Sequence, residues 1–125
     1  MTSISTDQAP LPLGHYSQAI VHNELVFVSG QLPINLENPD APVGSIADQT
    51  RLTLKHLETV LKAAGSDLNH VLKTTIFISD IGLWAEANRV YGEVFGDHKP
   101  ARSAVPTKDL PKGFQIEIEA IAAVI

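Results

Sequence analysis

Lys99 to Ala122 reads KPARSAVPTKDLPKGFQIEIEAIA, and its second half alternates in steps of two. Successive side chains on a strand point to opposite faces. Phe114, Ile116, Ile118, Ala120 and Ala122 therefore share one face, and Gln115, Glu117, Glu119, Ile121 and Ala123 share the other. A half-exposed strand would put those carboxylates in water. Here the acidic face runs on into Ile121, Ala123 and Ile125, so it is expected to be covered at one end. A carboxylate beside a covered surface is costly unless it is paired or hydrogen-bonded. The turn Asp109-Leu110-Pro111-Lys112-Gly113 predicts a hairpin between the two halves, which makes Arg102, in Pro100-Ala101-Arg102-Ser103, the nearest candidate cation.

Working outward, Ala9-Pro10-Leu11-Pro12-Leu13 is extended or irregular because of its prolines. Ala19–His22 and Leu25–Ser29 read as two strands joined at Asn23-Glu24. Ser45 to Ala64 is the clearest helix. Ser45 serves as cap, Asp48 completes a box, Ile46, Thr50, Leu54, Leu57, Leu61 and Ala64 form one stripe, and Gly65 ends it. Val71–Ser79 is a β-branched strand. A second helix runs from about Leu83 to Phe95, with Trp84, Ala87, Tyr91, Val94 and Phe95 inward and Gly96 as its stop. Strands follow around Ser103–Pro106 and Phe114–Val124.

The order predicts an α+β domain, a mostly antiparallel sheet with two helices on one face. The strands carry apolar residues on both faces, Ile76 and Ile78 on one, Phe77 and Val71 on the other. The face without helices would be an apolar patch on a monomer. Association with further copies of the chain is the expected remedy.

A length of 125 residues sets the expectation of a single domain over residues 1–125. No apolar run approaches the ~20 residues that span a bilayer. The first residues, MTSISTD, have neither the basic region nor the apolar core of a signal peptide, so a cytoplasmic location is expected. The absence of cysteine excludes disulfides, thiol nucleophiles and thiolate metal sites. The five histidines show no metal-site spacing, and His22 and His56 read as ordinary polar positions. A net charge of −5 and only three arginines, Arg51, Arg89 and Arg102, argue against a nucleic-acid partner.

In order and spacing, Gly14-His15-Tyr16-Ser17-Gln18-Ala19, Val28-Ser29-Gly30-Gln31-Leu32-Pro33, Gln49-Thr50, Ala63-Ala64-Gly65, Lys73-Thr74-Thr75-Ile76-Phe77-Ile78, Asn88-Arg89-Val90-Tyr91, Pro100-Ala101-Arg102-Ser103 and Glu117-Ile118-Glu119-Ala120-Ile121-Ala122 resemble the RidA family (YjgF/YER057c/UK114) from Ala9 to Ala122. The resemblance implies a chorismate-mutase-like fold and a homotrimer. Its sheets would form a barrel, with active sites in the clefts between subunits. It further implies hydrolytic deamination of reactive 2-imino or 2-enamino acids, such as 2-iminobutanoate and 2-iminopropanoate, to 2-oxo acids and ammonia, without metal or organic cofactor. The family's substrate-binding arginine falls on Arg102, whose planar fork suits a carboxylate. Its water-positioning glutamate falls on Glu117. Tyr16, Ser29, Gly30 and Asn88 fall on pocket positions. The chain departs from the family in two places: His15 stands where proline is common, and Ala104 where many members have cysteine.

Two other functions compete with this reading. A non-catalytic 2-oxo-acid or amino-acid binding module would use the same arginine, and the presence of both Arg102 and Glu117 favours the enzyme over it. An endoribonuclease or translation inhibitor is disfavoured by the acidic charge and the lack of a basic run.

Overall fold

The computed structural model describes residues 1–125. Six strands form one sheet: β1 (Thr2–Ile4), β2 (Ala19–His22), β3 (Leu25–Gln31), β4 (Val71–Ile78), β5 (Ala101–Pro106) and β6 (Ile116–Ala123). Helix α1 (Ile46–Ala63) precedes β4, and α2 (Trp84–Phe95) connects β4 to β5. The strand order is β1-β2-β3-β6-β4-β5. Every pairing is antiparallel except β4 with β5, which are parallel. A parallel pair needs a crossover, and α2 provides it.

The α+β architecture with two helices is as expected, but the hairpin is not formed. β5 and β6 are not neighbours: β4 lies between them. The reason lies in what each strand can bury. On β6, Ile116, Ile118, Ala120 and Ala122 are buried, and the opposite face is half-covered except at Glu119. Such a strand gains most at the centre of a sheet, paired on both sides. β5 is exposed at all six positions and ends in Pro106, which suits an edge. The turn after Pro106 therefore carries the chain across β4 rather than back along β5.

Two smaller differences concern register and the N-terminus. Val71, expected opposite Ile76 and Ile78, is fully buried with them. A register shift between Val71 and Lys73 adds one residue to β4 and so reverses the alternation. The first residues, for which the sequence predicts no element, contribute β1, while Ala9–Leu13 is irregular as expected.

The core lies between one sheet face and α1. Val26, Val28, Ile76, Ile78, Ile116 and Ile118 meet Leu54, Leu57 and Leu61. Each such burial contributes about 1.5–3 kcal/mol. Ser45 Oγ accepts from Asp48 N at 3.1 Å and Gly65 takes φ +83° just beyond the helix, as expected, but the return bond from Ser45 N to the Asp48 carboxylate that would complete the box is not formed. Two glutamines, Gln49 buried and Gln115 half-buried, tie α1 to the start of β6. Gln49 Nε2 donates to Gln115 Oε1 at 2.9 Å, and Gln115 N donates back to Gln49 Oε1 at 2.9 Å.

No helix covers the other sheet face. Phe27, 42% exposed, pairs with Ile121 there, and Phe77 pairs with both Glu117 and Val105. No helix of the molecule is long and apolar enough to cross a membrane.

Candidate active site

Glu117 projects from β6 onto the face without helices, opposite the neighbouring core residues Ile116 and Ile118. A register shift in β3 between Val28 and Gln31 opens the ladder beside it, at Ser29 and Gly30. The Glu117 side chain lies in the space that a side chain at residue 30 would occupy. A Cβ built on Gly30 would stand 2.3 Å from Glu117 Oε2. Glycine is thus required here for close approach, and Ser29-Gly30 with Glu117 forms one unit.

The loop before β2 closes this unit. Ser29 Oγ donates to Ser17 O at 2.6 Å, and Ser29 N donates to Gln18 O at 2.9 Å. Tyr16, half exposed, accepts a hydrogen bond from Leu13 N on its hydroxyl at 3.2 Å. Gln18 is 1% exposed and holds the N-terminal segment, donating to Thr6 O at 3.0 Å and Pro10 O at 2.8 Å. Tyr16, Ser29, Gly30 and Glu117 consequently line one concavity, together with Leu13, Leu32, Pro111 and Glu119. His15 is exposed beside it.

Burial pushes the Glu117 carboxyl above the usual range, and the nearby Glu119 charge pushes it further. A carboxylate so placed holds a proton more readily than one in water. It is therefore a stronger base than a glutamate in water, as a group that takes a proton from a reacting water needs to be.

Arg102 stands elsewhere. It pairs with Thr74 across β5 and β4, and Thr74 faces α2, where its Oγ1 and the Tyr91 hydroxyl are 2.7 Å apart. Arg102 Nη1 donates to Asn88 Oδ1 at 2.8 Å, and its Cζ lies 4.9 Å from the ring centres of both Trp84 and Tyr91. Asn88 and Arg102 line a second concavity with Tyr91, Phe95, His98 and Lys99. The expectation that Arg102 is the cation beside Glu117 is therefore corrected. The two project from opposite faces of the sheet, because β4 intervenes and Glu117 registers with Phe77 rather than with Thr74.

The six expected positions thus fall into two groups, Tyr16, Ser29, Gly30 and Glu117 in one and Asn88 and Arg102 in the other. The other two arginines are engaged on the outer helix surface, Arg51 with Asp48 and Glu93, and Arg89 with Glu86 and Glu93. The sequence marks Trp84 and Tyr91 only as inward residues of α2. The available signal was their spacing with Asn88, which puts all three on one stripe of α2.

A family model described as Endoribonuclease L-PSP matches residues 6–124. The chain is 47% identical to a RutC family protein of Pyrococcus horikoshii over 95% of this chain and 94% of that protein. It is 41% identical to the 2-iminobutanoate/2-iminopropanoate deaminase of rat, over 95% of this chain and 87% of the relative. The crystal structure of Escherichia coli TdcF with bound serine superposes with a TM-score of 0.93 at 36% identity, covering both chains completely.

Proposed function

The chain belongs to the Endoribonuclease L-PSP (YjgF/RidA) family, and from that premise we propose that it hydrolyses reactive 2-imino acids, of the kind 2-iminobutanoate and 2-iminopropanoate, to 2-oxo acids and ammonia. The observation that carries this reading is the Glu117 carboxylate, seated against Gly30 in a concavity with Tyr16 and Ser29 and held above the usual carboxylate range. Arg102, with only one guanidinium nitrogen bonded to Asn88, keeps donors for a carboxylate.

In the proposed reaction, Glu117 takes a proton from water as the water oxygen bonds to the imine carbon, and passes that proton to the imine nitrogen, giving the carbinolamine. Glu117 then relays the carbinolamine hydroxyl proton to the amine as the C–N bond breaks. Ammonia and the 2-oxo acid leave, and Glu117 is again a carboxylate. Because Arg102 and Glu117 occupy opposite sheet faces, one chain cannot present both to one small substrate. The reading therefore includes a homo-oligomer, a trimer by family resemblance, in which one copy's Arg102 meets another copy's Glu117. The uncovered apolar face around Phe27, Phe77, Val105 and Ile121 supports such association.

The test is ammonia release when a pyridoxal-phosphate dehydratase generates either imine in place. Wild type should accelerate it. Glu117→Ala should lose about 10²–10⁴-fold of the rate, the usual worth of a positioned acid–base group. Arg102→Ala should lose a comparable factor in kcat/KM. No acceleration of either imine overturns the reading. A second reading, 2-oxo-acid or amino-acid binding without turnover, is favoured by the bound serine in the TdcF structure. Binding without ammonia release would select it.

A further inference from the structure

Arg102 belongs to a strand exposed at every position, and a long side chain on such an edge would ordinarily sample many rotamers. Its guanidinium is nevertheless held on three sides. Its Cζ is 4.9 Å from the centres of the Trp84 and Tyr91 rings, and Nη1 donates to Asn88 Oδ1 at 2.8 Å. Trp84, Asn88 and Tyr91 are residues i, i+4 and i+7 of α2, so they stand in line along two helical turns. The Tyr91 ring is itself fixed. It is 6% exposed, its hydroxyl bonds to the fully buried Thr74, and its face packs on Phe95 with ring centres 4.6 Å apart.

We propose that Trp84 and Tyr91 form an aromatic platform that fixes the plane of the Arg102 guanidinium, so that its free edge is already oriented for a substrate carboxylate. The inference rests on the reading of Arg102 as carboxylate anchor, and it names two positioning residues that touch the anchor rather than the substrate. A cation held against two ring faces is attracted by both quadrupoles. Fixing a planar fork before the ligand arrives removes an ordering cost from binding. The bond to Asn88 spares the remaining N–H groups, of which a two-pronged grip needs two. Arginine is the only cation that can both stack flat and grip in this way.

The experiment measures 2-oxobutanoate binding by calorimetry and imine turnover by ammonia release, for wild type, Trp84→Leu, Trp84→Phe and Arg102→Ala. Trp84→Leu should raise Kd and KM roughly 5–20-fold, the worth of one cation–π contact with its ordering effect, with kcat within about twofold of wild type. Trp84→Phe, which keeps a ring face, should restore most of the affinity. Trp84 is the sole tryptophan of the chain, so its emission in the unaltered protein is a second readout. It should shift on addition of 2-oxobutanoate, and in Arg102→Ala it should not.

Unchanged Kd in Trp84→Leu, Trp84→Phe as weak as Trp84→Leu, or loss of kcat at constant KM each overturns the platform. So does a silent Trp84 emission while calorimetry registers binding to wild type, or a wild type that does not bind 2-oxobutanoate. Weakened binding in Trp84→Leu with no ammonia release from any variant, wild type included, retains the platform and removes the deaminase reading. Normal deamination with Trp84→Leu indistinguishable from wild type does the reverse.

Discussion

Glu117 sits where an ionised carboxylate is least comfortable, half-buried beside a second carboxylate. Its folded pKa is raised, burial first and Glu119 second, so its protonated form is favoured by the fold. The contribution of Glu117 to stability is therefore greatest below the ordinary glutamate range and is lost as pH rises through the raised value. Glu117→Gln removes that loss. The variant should unfold at a higher temperature than wild type near pH 7, with the difference vanishing toward pH 4, while deamination falls. Thermal unfolding followed by circular dichroism across that range checks it, and a variant less stable than wild type at pH 7 would contradict the electrostatic account. Greater stability with lower activity is the usual signature of a functional group held under strain. The facing of Glu117 was legible from the period-two pattern of β6. Its contact with Gly30 was not, because it depends on the shift in β3, which leaves no trace in local periodicity.

Elements were legible where one face of one segment decided them. The α1 stripe, its Ser45 cap and Gly65 follow from spacing alone. Pairing was legible only where neighbours in sequence are neighbours in space, as for β2 with β3. The place of β6 between β3 and β4 depends on the relative burial of segments far apart in sequence. His56 shows the same limit within a helix. Read as an ordinary polar position, it is 3% exposed, and its Nε2 donates to Ile34 O at 2.8 Å, joining α1 to the segment after β3. Burial lowers its pKa more than the Ile34 bond raises it, with Lys55 adding to the lowering, so the buried ring is neutral. Its contribution is then present above the ordinary histidine value and lost as pH falls through the depressed one. His56→Ala should cost about 1–3 kcal/mol at pH 8 for the orphaned Ile34 carbonyl alone. The gap to wild type should narrow below pH 6. Urea unfolding at the two pH values measures both, and a gap independent of pH would rule out titration of His56.

At the scale of the molecule, the two groups of candidate residues lie on opposite sides of one sheet, and the face bearing Glu117 has no helix over it. The apolar residues on both strand faces made an uncovered face legible in the sequence. That Arg102 and Glu117 would end up on opposite faces was not, since it depends on β4 lying between β5 and β6. Under the proposed assembly each site draws Glu117 from one copy and Arg102 from the next. Arg102→Ala and Glu117→Ala proteins, each inactive alone, should regain activity when denatured together and refolded. Around a closed ring of three, each mixed trimer contains one interface with both residues intact, so an equal mixture should recover on the order of a quarter of wild-type ammonia release. No recovery, with mixed trimers verified by native mass spectrometry, would remove one of the two residues from the shared site. In genetic language, a cell carrying these two loss-of-function alleles together would be phenotypically rescued although neither allele encodes a working polypeptide. A single allele carrying both substitutions would rescue nothing.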